Sequence, residues 1–224
     1  MPDIICSRGN NMFKKITRKN LEQFLSHHAS EKRTLDIGSG GSLYGYERFF
    51  PNRVTVDIDP ARNPEIIGDI HALPFTDGEF DMVLCIEVLE HVLNPRKAME
   101  EMRRVLKKGG TLILTTRFVY PIHDAPNDYW RFTKYGLQEL VREWKMIELI
   151  PETKTFSALA VLFQRIAYQT KLRFNAPAKL KLFFFAFVFN HLNWLIQKEY
   201  GDIKKSTTET DILSSGYYLV CKKR

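Results

Sequence analysis

Two glycines and three acids in the first third of the chain have the types and spacing to hold a nucleoside. Leu35-Asp36-Ile37-Gly38-Ser39-Gly40 reads as an apolar strand that breaks into glycine, so bare backbone N–H groups face a ligand that meets no Cβ. Asp36 sets a carboxylate beside that gap, which suits a cationic or hydroxyl-rich group better than a bare pyrophosphate. The dinucleotide fingerprint G-x-G-x-x-G needs glycine at 43, where this chain has Leu43. Asp57, in Val56-Asp57-Ile58-Asp59, follows about 20 residues on, the distance at which a doubly wound sheet holds a ribose diol. Asp69 ends a third short apolar run.

A second group of polar residues lies in the loop 117–132. His123 and Asp124 are followed closely by Asp128, Tyr129 and Arg131. A histidine there has the right pKa to serve as a general base toward a hydroxyl. Equally, His123 and Arg131 can simply brace a long loop by hydrogen bonds. Both readings stand at this level. No His/Cys/Asp cluster shows metal-ligand spacing, so no metal is implied.

The elements that position these residues alternate. Thr17 can cap a helix to about His28, with Leu21, Phe24 and Leu25 on one face. Strands are expected at 34–37, 53–57, 66–70, 80–85 and 111–116. Pro95 opens a helix to Leu106, with Ala98, Met102, Val105 and Leu106 inward and Lys107-Lys108-Gly109-Gly110 as its stop. The connections after the first two strands are short for crossover helices, and Pro60 and Pro64 break the second. Thr133 caps a helix to about Trp144, and strands follow at 146–150 and 217–221. Strands alternating with helices mean an α/β fold: a Rossmann-like, doubly wound, mostly parallel sheet with its site at the strands' carboxyl ends.

At 224 residues the chain is read as one domain, 1–224. Its three cysteines, Cys6, Cys85 and Cys221, are odd in number and widely spaced, as expected of reduced thiols in a cytoplasmic setting. Residues 1–20 lack an apolar core with a cleavage site, so no signal peptide is expected. The net charge of +7 is concentrated: residues 151–205 hold nine Lys/Arg against three acids.

The order of motifs resembles the class I S-adenosylmethionine-dependent methyltransferases, in particular the type 11 methyltransferase domain group. The resemblance is carried by Leu35 to Gly40, Val56-Asp57-Ile58-Asp59, Gly68-Asp69-Ile70-His71-Ala72-Leu73-Pro74-Phe75, Phe80-Asp81-Met82-Val83, Glu87-Val88-Leu89-Glu90-His91-Val92 and Val105 to Gly110. It implies S-adenosylmethionine as the cofactor. The glycine loop (Gly38, Ser39, Gly40) would pass under the methionine part and Asp36 would sit near its amino group. Asp57 and Ile58 would lie at the ribose, Asp69 would accept from the adenine amino group with Ile70 flanking the ring, and Cys85 and Glu87 would line the methionine side. Pro121 to Thr133 looks like the substrate-side loop of many members, with Asp128, Tyr129 and Arg131 facing the acceptor. Ser39 stands where Cys is commoner.

A helical insertion, 155–212, precedes the last strand. Phe156 to Tyr168 reads as an amphipathic helix, and Leu182 to Phe189 is eight apolar residues flanked by Lys171, Arg173, Lys179 and Lys181. A spanning helix wants about 20 apolar residues, so no transmembrane segment is read. Basic flanks on aromatic faces describe helices lying on an anionic membrane surface through residues 155–205; a lid or a dimer interface is the other reading. Nucleic acid ranks low, because Phe and Leu separate the basic residues. The expected activity is methyl transfer by in-line displacement to a small or lipid-linked acceptor, at oxygen, with His123 as the base. The expected location is cytoplasmic, peripheral on the inner face of the membrane. The alternatives are a nucleotide-dependent oxidoreductase on the same sheet, or a non-catalytic membrane-associated protein of this fold.

Overall fold

The computed structural model describes residues 15–39 and 45–224. Helix α1 (Ile16–His27) precedes strand β1 (Thr34–Ile37), then β2 (Arg53–Asp57), β3 (Ile66–Ile67) and β4 (Phe80–Ile86). Helix α2 (Pro95–Val105) leads into β5 (Leu106–Arg117), followed by α3 (Lys134–Leu140) and β6 (Lys145–Pro151). Helices α4 (Thr155–Gln169) and α5 (Asn175–Asn190) and a small hairpin, β7 (Glu199–Tyr200) with β8 (Thr208–Glu209), come before β9 (Gly216–Lys222). The large sheet runs β3-β2-β1-β4-β5-β9-β6. Pairing is parallel from β3 to β5, and β9 lies antiparallel between β5 and β6.

The strand alternation sorts side chains into two cores. Leu35, Ile37, Val83, Cys85, Leu112 and Leu114 face Ala98, Met99, Met102 and Val105 of α2. Met82, Leu84, Ile86, Ile113 and Tyr218 face Leu21, Phe24 and Leu25 of α1, closed by Tyr46 and Phe50. Covered on both faces, the central strands are apolar runs rather than alternations, which is why they are conspicuous in the sequence.

Several boundaries differ from the sequence expectation, each for a physical reason. Thr17 does not cap α1: Lys15 is the N-cap, without a side-chain bond, and Thr17 is buried in the first turn. Asn94 caps α2 instead, accepting from the Lys97 amide at 3.1 Å ahead of Pro95. Lys107 to Gly110 is not a helix stop but the start of β5, where Gly109 at φ +74° forms an irregularity and its amide donates to Lys223 O. The third strand is only two residues long, so Asp69 and Ile70 sit in the turn beyond it, where Asp69 bridges to Ala72. Helix α3 ends at Leu140, short of Trp144, although Thr133 does cap it through the Gly136 amide. Single helical turns, Glu47–Phe49 and Pro60–Arg62, stand in for the first two crossover helices.

The turn that carries Asp69 and Ile70 is tied down from α2. Arg104 donates to Leu73 O at 2.9 Å, Phe75 O at 2.8 Å and Asp77 at 2.9 Å, and Glu101 accepts the Leu73 amide at 2.9 Å. Arg104 also donates to Glu101 at 2.8 Å, so one guanidinium fixes the whole segment 73–77. Arg104→Met removes these bonds and leaves two carbonyls and two carboxylates without this donor; it is expected to lower unfolding free energy by about 1–3 kcal/mol in urea melts. An unchanged midpoint would show that water replaces the guanidinium at no cost.

Candidate active site

At the carboxyl edge of the sheet, β1 ends in Gly38 at φ +70°, its amide donating to Val56 O at 2.8 Å. A Cβ there would lie 2.4 Å from Val88 Cγ2, so the backbone passes where only glycine fits. Ser39 is buried with no partner for its Oγ. Gly40 lies outside the described residues.

The acids of this edge are held by one oxygen and open at the other. Asp57 is buried; its Oδ1 accepts the Asp59 amide at 2.9 Å, while Oδ2 has no hydrogen-bond partner and Arg62 stands off at 3.8 Å. Asp36 is fully buried between Tyr46, whose hydroxyl donates at 3.5 Å, and Arg53 at 3.4 Å. Burial pushes its carboxyl up to about 7, against the pull of Arg53. Asp69 accepts the amide and the Nδ1–H of His71 on Oδ1, at 2.9 and 2.7 Å, and the amide bond above all holds its carboxyl below the usual range. His71 Nε2 in turn accepts the Asn94 amide at 3.2 Å, so this histidine is a strut between two segments. Ile58 is exposed and Ile70 buried. Cys85 is wholly inside the core beneath this edge, where burial raises its thiol far above the usual range.

The other side of this edge is built on β4, β5 and the loop that follows β5. Glu87 ends β4 at φ +58°, its amide donating to Thr115 O at 3.1 Å, and its carboxylate binds Arg117. Arg117 is buried and donates also to Glu152 at 2.7 Å. Glu152 takes two further bonds, from Ser215 at 2.6 Å and Tyr218 at 3.0 Å. Although burial works to raise the Glu87 carboxyl, Arg117 holds it below the usual range. Sequence reasoning did not find Arg117; an arginine closing the apolar run 112–116 was the available signal.

The loop residues converge around His123. Asp128 accepts both ends of the Arg131 fork at 2.6 Å and the His123 amide at 3.0 Å, which against burial keeps its carboxyl at about 2. The His123 Nδ1 faces Pro121 O at 3.3 Å and Asp128 Oδ2 at 3.4 Å, both acceptors, so Nδ1 carries the hydrogen and Nε2 the lone pair. Burial lowers the His123 pKa, which keeps the ring neutral at pH 7. Its ring meets those of His91 and Tyr120 edge-on. Glu90 is fully buried, one oxygen accepting from Thr116 at 2.8 Å, and burial pushes its carboxyl up to about 7. Tyr129 is exposed and donates to Asn127 at 2.9 Å. The structure therefore brings His123, Asp128 and Arg131 together, and leaves Tyr129 to one side.

A family model described as a methyltransferase domain matches residues 35–114, the segment that carries Asp36, Gly38, Asp57, Asp69, Glu87 and Glu90 and stops short of Arg117 and the loop around His123. An uncharacterized protein of Methanocaldococcus jannaschii is 37% identical over 166 residues, 68% of this chain and 79% of that protein. A ubiquinone biosynthesis O-methyltransferase of Dechloromonas aromatica is 30% identical over 154 residues, 54% of this chain and 66% of that one. A second uncharacterized M. jannaschii protein is 43% identical over 88 residues, 36% of this chain, and the chain spans only 38% of that relative's length. Among solved structures, the [4+2]-cyclase SpnF superposes with a TM-score of 0.58 over 92% of this chain and 81% of its own, at 16% identity, a likeness of fold. The orphaned acceptors at Asp57 and Asp36 and the glycine-only approach at Gly38 fit the hydroxyl and ammonium donors of the cofactor that this family shares. The segment that the family model matches and the segment that carries these groups coincide, and the chain belongs to the class I S-adenosylmethionine-dependent methyltransferases, with S-adenosylmethionine as its cofactor.

Proposed function

We propose that the chain transfers a methyl group to an oxygen of a small or lipid-linked acceptor by direct in-line displacement. The observation that carries this reading is the pair formed by His123 Nε2 and the free oxygen of Glu90, 4.0 Å apart on the acceptor side. A hydroxyl must lose its proton as it attacks, and a neutral imidazole with its lone pair turned inward takes it. One relative bears the name O-methyltransferase, which supports oxygen over nitrogen. When bound, S-adenosylmethionine supplies an electrophilic methyl group on a sulfonium. On this reading Asp36, Gly38, Ser39 and Gly40 hold its methionine part, Asp57 and Ile58 its ribose, Asp69 and Ile70 its adenine, and Glu87 lines the path to sulfur; the Cys85 side chain, expected there from the sequence, is instead enclosed in the core against α2. Asp128 and Arg131 act through His123, fixing the loop and the ring; Tyr129 borders the entrance.

The insertion bears on the acceptor. Helix α4 turns its small side chains Ala158, Ala160 and Ala167 inward, and α5 packs on its outside through Phe163 with Phe185 and Phe189 and through Tyr168 with Phe183. That leaves Leu180, Phe184, Phe187 and Trp194 exposed beside Lys179 and Lys181. Among the described residues no helix is long and apolar enough to cross a membrane. An exposed aromatic face with basic flanks supports contact with an anionic lipid surface, where an apolar acceptor resides. A cleft of about 940 Å³ lies between this insertion and the sheet; Phe118, Ile196 and Tyr217 line it together with charged Lys134, Lys198, Glu199 and Glu209, so it suits an acceptor with both apolar and polar parts.

Three measurements test these assignments. Calorimetric titration with S-adenosylmethionine is expected to show binding that Asp57→Ala weakens by more than tenfold while folding is kept; equal affinity would remove Asp57 from the site. His123→Ala is expected to cut kcat by roughly 10²–10⁴-fold. In the parent, the acid limb of the kcat/KM profile should fall below the ordinary histidine value of about 6.5, because the lowered pKa keeps the base neutral to lower pH. Full turnover by the variant would leave His123 a brace. Vesicle co-sedimentation should show binding to anionic and not zwitterionic lipid, weakened on the order of 30-fold by Lys179→Ala with Lys181→Ala. Indifference to lipid charge would instead favour a lid or dimer face.

A further inference from the structure

We propose that Glu90, His91 and His123 form a binding site for one divalent transition-metal ion on the acceptor side of the pocket. One ligand atom from each of the three lies within 4.8 Å of the other two. A cation at the centre of a triangle with that side would be at most about 2.8 Å from each atom, against about 2.1 Å for bound zinc, so small side-chain rotations close the site.

Each ligand is held from behind. Thr116 donates to one Glu90 oxygen at 2.8 Å, and the other, Oε1, has no hydrogen-bond partner although the side chain is completely buried. The His91 Nδ1 donates to Asn127 O at 2.6 Å, and the His123 Nδ1 faces Pro121 O and Asp128. With both Nδ1 atoms committed, both Nε2 lone pairs are left for a ligand. An outer carbonyl or carboxylate behind each imidazole is what fixes the tautomer of metal-bound histidine. Asp124 Oδ2 lies 3.9 Å from His91 Nε2 on an exposed side chain, close enough to supply a fourth ligand or to yield that position to an acceptor.

The surrounding charges allow a cation here. Arg117, the buried cation of this edge, is neutralised directly by Glu87 and Glu152. Asp128 is spent on Arg131. Glu90 is thus the carboxylate left over. Two imidazoles and one carboxylate favour zinc, manganese, iron or cobalt over magnesium or calcium. An ion there would withdraw electron density from a hydroxyl and let its proton go to water at neutral pH. That role rests on the methyl-transfer reading above, and in the ion-loaded chain it replaces His123 as the base, because the ion takes the Nε2 lone pair; the binding of the ion does not rest on that reading.

The test uses the full chain after dialysis against a chelator, titrated separately with zinc, manganese and magnesium. The expected result is one zinc per chain, weaker manganese and no magnesium. Glu90→Gln, His91→Ala and His123→Ala should each weaken zinc by more than 100-fold. Asp128→Asn should weaken it by roughly 10–100-fold, and the control His27→Ala, on α1, should not change it. X-ray absorption of the zinc-loaded parent should give two nitrogen neighbours and at least one oxygen at about 2.0–2.2 Å, a readout that stands even where a variant fails to fold. No zinc bound by the folded parent, a sulfur-rich shell, or full affinity in the folded variants would overturn the proposal. S-adenosylmethionine titration of the same samples separates the two readings: zinc binding without cofactor binding overturns the methyl-transfer reading alone, and the converse overturns only the metal site.

Discussion

The ends of β4, β5 and β6 depend on one buried ion triad, Glu87–Arg117–Glu152. Arg117 closes β5, Glu87 closes β4 and Glu152 follows β6, so the triad joins the ends of three strands. Ser215 and Tyr218 complete Glu152 from β9 and its approach, and Tyr120 and Arg165 stack over the guanidinium at 4.3 Å and over the same ring at 4.9 Å. A hydrophobic trio of the same volume would be no less stable, but removing one partner leaves an uncompensated buried charge at about 3–5 kcal/mol. The arrangement therefore fixes geometry more than it adds stability. It holds the strand ends in one register, sets the positive φ at Glu87, and joins the α4 insertion to the sheet through Arg165.

What the sequence shows of this fold follows from how local each determinant is. The central strands appear as apolar runs because both faces are covered, and α2 is announced by Asn94-Pro95 and its inward row Ala98, Met102, Val105. Lys107 to Gly110 misleads because cations and glycines after a helix are also what a strand uses to bulge, and only pairing with Lys223 decides between them. The short third strand is equally invisible, since Ile66 and Ile67 pair with Val56 and Asp57 and nothing local ends the run there.

The site divides the same way. Gly38, Asp57 and Asp69 announce themselves because a strand, a turn and an acid at set distances are local features. Arg117, Glu152 and the His91–His123 contact are not, since their partners lie far along the chain and meet only when β5, β6 and the loop 117–132 fold against one another. His123 was visible as a lone imidazole; that His91 turns toward it and that Glu90 lies buried beneath could be read only from coordinates.

The unsatisfied atoms argue what must come to this edge. Among the described residues the buried acceptors without a hydrogen-bond partner are Asp36 Oδ2, which faces Arg53 at 3.4 Å, Asp57 Oδ2, Glu90 Oε1 and the hydroxyl of Ser39. All four belong to residues at or just beyond the ends of β1, β2 and β4. A buried acceptor left open costs about 1–3 kcal/mol, more if charged, and a fold that satisfies Asp128 with three donors could have satisfied these. Carboxylates accept, so what completes them must donate or be positive: hydroxyls, an ammonium, or a cation. The first two are the polar groups of S-adenosylmethionine, and on the proposed reading they complete Asp36 and Asp57. Glu90 lies on the far side, with two imidazole lone pairs beside it that also accept, and three acceptors facing one another are completed by a cation more simply than by any neutral group.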